Sequence, residues 1–146
     1  MYRNKALVHH FKNPHKILKE INRVLKKDGT IIIADIYSSS IKEESELHNA
    51  IEQLRDPTHI KMLSLNEFVD LFRITQLKVN KVKYIDMQRY YDEWLEITNA
   101  PERYNAIFTI LKNLISSDKR AGINLQMEND KINFVHKWVI YQLKKE

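Results

Sequence analysis

Apolar positions along the chain follow first a helical and then an extended rhythm. Between Asn13 and Gly29, Ile17, Leu18, Ile21, Val24 and Leu25 recur at helical spacing and form one stripe. Asn13 is placed to cap this helix, Pro14 suits its first position, and Gly29 stands where a left-handed residue would end it. The next seven residues, Thr30-Ile31-Ile32-Ile33-Ala34-Asp35-Ile36, are β-branched and apolar on both faces. Lack of alternation predicts an interior parallel strand covered from both sides. A helix followed at once by such a strand predicts an α/β layered fold.

Beyond the polar break at Ser38-Ser39-Ser40, the pattern predicts a helix over 42–55 with Leu47, Ala50, Ile51 and Leu54 facing inward. Asp56-Pro57 stops it. Ser64-Leu65-Asn66-Glu67 is a capping box ahead of Phe68, Leu71 and Phe72, and 77–87 is strand-like. From Gln88 the spacing turns helical, with Tyr91, Trp94 and Leu95 on one face. Pro101 opens another helix with Tyr104, Ile107, Phe108, Leu111, Leu114 and Ile115 inward. Ile123, Leu125 and Met127 then alternate, Asn129-Asp130 can turn, and Ile132, Phe134, Trp138 and Ile140 follow at even spacing. No repeat or linker divides the 146 residues, so 1–146 reads as one domain, with 88–128 a helical segment and hairpin strand before the last strand.

Composition narrows the chemistry. Apolar residues at 43% and charged residues at 29% fit a globular chain with its own core. Two isolated glycines, Gly29 and Gly122, exclude a glycine-rich phosphate or dinucleotide cradle within this chain. Absence of cysteine excludes disulfides, thiolate metal sites and cysteine nucleophiles. No apolar run approaches the ~20 residues of a membrane span, and a cytoplasmic location without a membrane partner is expected. The net charge of +5 comes from lysines spread among acids. Lys16, Lys19, Arg23, Lys26 and Lys27, on the outward side of the first helix, come nearest to a basic cluster. No nucleic-acid motif accompanies them, so a solvated surface is the expected role.

One stretch carries a family pattern. It runs through Ala6-Leu7-Val8-His9-His10-Phe11, Asn13-Pro14, and Ile17 to Thr30 with Arg23-Val24-Leu25-Lys26-Lys27-Asp28-Gly29, and ends in an apolar strand closing at Asp35. This resembles the later motifs of class I S-adenosylmethionine-dependent methyltransferases, small-molecule enzymes like those of ubiquinone and menaquinone biosynthesis. Lys27 and Asp28 replace the proline and first glycine of that pattern. Leu54-Arg55-Asp56-Pro57-Thr58-His59 followed by Ser64-Leu65 is similar to one bacterial branch. The resemblance implies a partial Rossmann-like methyltransferase fold holding strands five to seven and their helices, and implies that 88–128 is an insertion before the last strand. The glycine-rich turn and acidic residue with which the family binds its cofactor have no counterpart among these residues.

The resemblance places Leu7, His9 and His10 at the edge of the cofactor cleft, with His10 the candidate base, and Asp35, Tyr37, Arg55, Asp56 and His59 on the substrate side. His9, His10 and His15 match no metal-ligand spacing, and no metal site is expected. S-adenosylmethionine is the implied cofactor, not bound by this chain alone, and a small molecule the implied methyl acceptor. An open edge along 30–36 implies self-association or pairing with a separate glycine-bearing half. A non-catalytic interaction or dimerisation module is the alternative, and a small basic nucleic-acid-binding domain the third.

Overall fold

The computed structural model describes residues 7–146. After a 3-10 turn at Val8–His10, the elements run α1 (Pro14–Val24), β1 (Thr30–Ile36), α2 (Lys42–Arg55), α3 (Leu65–Ile74), β2 (Leu77–Tyr90), α4 (Tyr91–Glu96), α5 (Tyr104–Ile115), β3 (Gln126–Glu128) and β4 (Lys131–Lys145). The α/β class is as the pattern predicts. β4 is the spine of the sheet. It pairs antiparallel with β1 and β3 along one edge and with β2 along the other.

β1 departs from the expectation of a parallel strand buried on both faces. Its partner among the described residues is antiparallel, in a register that sets Ile33 opposite Tyr141 and Asp35 opposite Val139. Ile31, Ile33 and Asp35 are buried, while Ile32 and Ala34 on the other face are only half-buried. The uniform apolarity of the strand hid an alternation that the surrounding helices impose.

The core has two parts, on opposite faces of β4. Val139, Tyr141 and Leu143 join Ile31, Ile33, Leu18, Phe68, Leu71 and Phe72 beneath α1 and α3. Ile132 and Phe134 join Ile51, Tyr91, Trp94, Ile107 and Leu111 beneath α2, α4 and α5. Residues 132 and 134 differ in parity from 139, 141 and 143, so they point to opposite sides of a pleated strand. Even spacing alone made Trp138 and Ile140 inward residues, yet both are half-buried because the covered face changes sides before them.

Local signals account for most boundaries. Ser64 and Glu67 form the complete capping box at the start of α3. Pro14 opens α1, but Asn13 makes no side-chain cap; its carbonyl instead accepts from Lys16 and Ile17. Val24 is 62% exposed, and buried Asn22 takes its place on the inner face, donating from Nδ2 to the Thr75 carbonyl at 3.0 Å. Gly29 is not left-handed. It is required sterically, because a Cβ there would lie 2.5 Å from Leu25 Cδ1 and 2.9 Å from the Lys26 carbonyl. Strand β2 runs three residues past the predicted end, so the helical segment begins at Tyr91 rather than Gln88. On β2 only Leu77 is buried. Its lysines at 78, 81 and 83 and a bulge between Val79 and Lys81 keep this long edge from templating further strands. Among the described residues no helix is long and apolar enough to cross a membrane.

Candidate functional site

The 3-10 turn lays His9 and His10 across the carboxyl end of β1, where the turn after α2 also arrives. Asp35, the penultimate residue of β1, is 1% exposed. Its Oδ1 meets His9 Nδ1 and accepts the Ile36 amide at 2.8 Å; its Oδ2 accepts the His9 amide at 3.0 Å. A carboxylate oxygen accepts, so the His9 imidazole donates to it from Nδ1, and Nε2 takes no part in that contact.

The turn 56–59 closes the other side. The His9 carbonyl accepts the amides of Ile60 at 2.9 Å and Lys61 at 3.1 Å, which ties the two segments together. His10 Nδ1 lies 3.2 Å from the Thr58 carbonyl. His59 is buried, and its Nε2 donates to Asn49 Oδ1 at 2.8 Å, an oxygen that also accepts the Met62 amide at 2.7 Å. The three imidazoles converge, with ring centroids 4.2 Å apart for His9 and His10, 5.4 Å for His9 and His59, and 6.4 Å for His10 and His59. Burial alone would raise the Asp56 carboxyl. The Thr58 hydroxyl and amide, with the charges of His10 and Arg55, hold it below its ordinary value instead.

His59 carries a consequence for stability. Burial pushes its imidazole from 6.5 down to about 4; Glu52 opposes the shift, and His9, His10 and His48 add to it. Between those pH values the unfolded chain binds the proton and the folded chain does not, so stability is complete above pH 6.5 and drains away towards pH 4. Allowing for partial solvation, this amounts to about 1–2 kcal/mol. Urea midpoints taken across this range should fall in the native chain and flatten in His59→Gln. Parallel curves for the two proteins would contradict the assignment.

Of the residues singled out beforehand, His9, His10, Asp35, Asp56 and His59 come together. Leu7 borders them, its carbonyl accepting the His10 amide at 3.3 Å. Tyr37 does not join them; its ring meets Tyr84 edge-on at 6.2 Å, and burial with the nearby Asp86 and Tyr84 raises its phenol. Arg55 also turns away, donating to Glu52 Oε2 at 2.9 Å and to the Trp94 carbonyl at 3.1 Å. His15 sits in the first turn of α1. Thr58 and Asn49 belong to the network and were not anticipated.

A second polar cluster lies inside the core. His48, Glu52 and His136 offer ligand-type atoms within 4.8 Å of one another, all buried. Glu52 Oε1 accepts from His136 Nε2 at 2.8 Å and from Trp94 Nε1 at 3.3 Å, and Arg55 holds Oε2. Burial alone would raise the Glu52 carboxyl; His136, His48 and Arg55 outweigh it and keep it well below the usual range. With Arg55 on the carboxylate and Arg89 adding its charge near His136, the positive charge a divalent ion would bring is already supplied. The cluster is a buried Glu52–Arg55 ion pair with His136 on the same carboxylate and His48 Nε2 3.8 Å from it. The helical spacing of His48 and Glu52 around Ile51 was its one sequence signal.

Helices on both faces of a sheet, with polar groups gathered at the carboxyl end of a strand, define an α/β domain with a histidine–carboxylate cluster at that strand end. A methyltransferase domain family matches residues 6–82, more than half of the chain and all of this site, and the chain belongs to that family. It is 31% identical over 137 residues to the uncharacterized methyltransferase YcgJ of Bacillus subtilis, covering 92% of this chain and 54% of YcgJ. It is 25% identical over 118 residues to the YafE protein of Escherichia coli, covering 81% of this chain and 57% of YafE. The chain thus spans about half the length of these relatives. The YcgJ crystal structure superposes with a TM-score of 0.82 at 28% identity, covering 95% of this chain and 61% of that one. The BH2331 protein of Bacillus halodurans shares the fold with a TM-score of 0.86 at 18% identity, covering 97% and 67%.

Proposed function

We propose that this chain supplies the acceptor side of an S-adenosylmethionine-dependent methyltransferase acting on a small molecule, with His9 as general base. The observation that carries the reading is the Asp35 carboxylate, which fixes the tautomer of His9 at the carboxyl end of β1. A hydroxyl or amine acceptor gives up a proton as it is methylated, and the Nε2 of His9 is the group here suited to take it. This moves the role of base from His10, whose Nδ1 meets only the uncharged carbonyl and hydroxyl of Thr58, to its neighbour, whose partner is a carboxylate able to stabilise the imidazolium that forms.

The residues present do not fit the cofactor as a whole. Gly29 packs against Leu25, and Gly122, at φ 70, faces Ser39 and Glu44. Neither opens a helix from a strand end as a nucleotide cradle requires. The free edge of β1 among the described residues supports pairing with a glycine-bearing half or with a second copy. Calorimetry with S-adenosylmethionine is expected to give no binding heat for the chain alone. Heat should appear once a polypeptide carrying the glycine-rich strand–turn–helix is added. Stoichiometric binding by the unaided chain would refute the division of labour. A mixture that forms a complex but never binds the cofactor would favour the interaction-module reading.

A further inference from the structure

The helical segment after β2 reaches back to the helix that carries the site turn. Arg103, in the 3-10 turn Pro101–Arg103 that leads into α5, donates from Nη1 to the Arg55 carbonyl at 3.1 Å and to the Leu54 carbonyl at 3.4 Å. These are the last carbonyls of α2, which have no partner within their own helix and favour a cation. Arg55 returns the contact. Its Nη1 donates to the Trp94 carbonyl in α4, and its guanidinium lies 4.8 Å over the Trp94 ring. Trp94 is itself fully buried, 0% exposed and edge-on to Phe134 at 5.4 Å. The residue after Arg55 is Asp56, where the site turn starts. The Asp56 carbonyl accepts the His59 amide at 3.0 Å, and Asp56 Oδ1 accepts the Thr58 amide at 2.9 Å and the Thr58 hydroxyl at 2.7 Å.

We infer that this helical segment is a latch on the site: Arg103 and the Trp94–Arg55 pair fix the carboxyl end of α2, and so position Thr58 and His59 against His10 and His9. Arg103 and Arg55 are positioning residues, remote from any acceptor. The inference gives the reading under Proposed function a means of regulation and rests on that reading for its meaning. Whatever displaces the segment loosens the turn 56–61, while the sheet beneath β1 stays in place. It also explains why Arg55, adjacent to the site in sequence, points into the core.

Arg103 provides the test, because its side chain is partly exposed and its loss leaves no charge buried. In Arg103→Met, amide exchange at His59, Ile60 and Lys61 should quicken about ten-fold, the size expected when a local opening loses a charge-assisted cap. The His59 imidazole, followed by NMR, should titrate closer to 6.5 than in the native chain. Arg103→Lys, which keeps the charge without the fork, should recover part of both effects. Changes confined to amides near residues 101–105, with His59 and the turn unmoved, would overturn the latch. Neither readout depends on methyl transfer. A null here counts against the latch alone, and cofactor heat missing from the mixture with the glycine-rich polypeptide counts against the proposed function alone.

Discussion

Glu52→Ala is expected to lower the unfolding free energy by about 3–5 kcal/mol, the cost of breaking a buried ion pair from one side. The carboxylate is the common acceptor for His136, Trp94 and Arg55, and all four side chains are largely removed from water. Alanine orphans an arginine and an indole N–H and also opens a cavity. The loss has a pH signature. Glu52 is held well below its usual range, so its contribution is present above the unfolded carboxyl value, ~4.3, and disappears as pH falls towards the lower folded value. Denaturant titrations at neutral pH measure the effect. Pairing Glu52→Leu with Arg55→Met should recover part of it, because removing both charges leaves neither unpaired. If the double replacement were as unstable as the single one, packing rather than charge would be the cause.

The second large effect concerns chemistry. In an enzyme reconstituted with a cofactor-binding half, Asp35→Asn should slow methyl transfer about one hundred- to one thousand-fold, within the range that general bases contribute. Asparagine keeps the size and can still accept the Ile36 amide. It cannot hold His9 in one tautomer with a full negative charge. The rate of S-adenosylhomocysteine release, with the fastest acceptor found, is the measurement. Because Asp35 acts through His9, its loss should fall on kcat more than KM, and His9→Gln should lower kcat at least as far. An unchanged kcat in Asp35→Asn would remove Asp35 and His9 from the reaction. His10→Gln, by contrast, should leave kcat near its native value.

What could be read from the amino acids follows the range of the interactions concerned. The start of α1, the capping box of α3 and the stop at Asp56-Pro57 are local, and each stands where its residues placed it. The inward face of α2 is not local. Ala50 and Leu54 are exposed there, while His48, Ile51 and Glu52 are buried, because the partners of Glu52 lie 42 and 84 residues away at Trp94 and His136. A helical period fixes the width of a buried face more firmly than its phase. The same division holds at the site. Family motifs drew attention to His9, His10, Asp35 and the turn 56–59. Which imidazole meets the carboxylate depends on the 3-10 turn over Asp35, and the fate of Arg55 depends on the distant helical segment. Tyr37 was misplaced for a similar reason: the next side chain along from Ile36 faces β2.

Strand β4 follows all three of its hydrogen-bonding partners in the chain and contributes to both halves of the core. During synthesis, therefore, the pairings described for β1, β2 and β3 can form only once residues 131–145 have left the ribosome. Until then these three strands lack β4, and its arrival completes their pairing late and all at once.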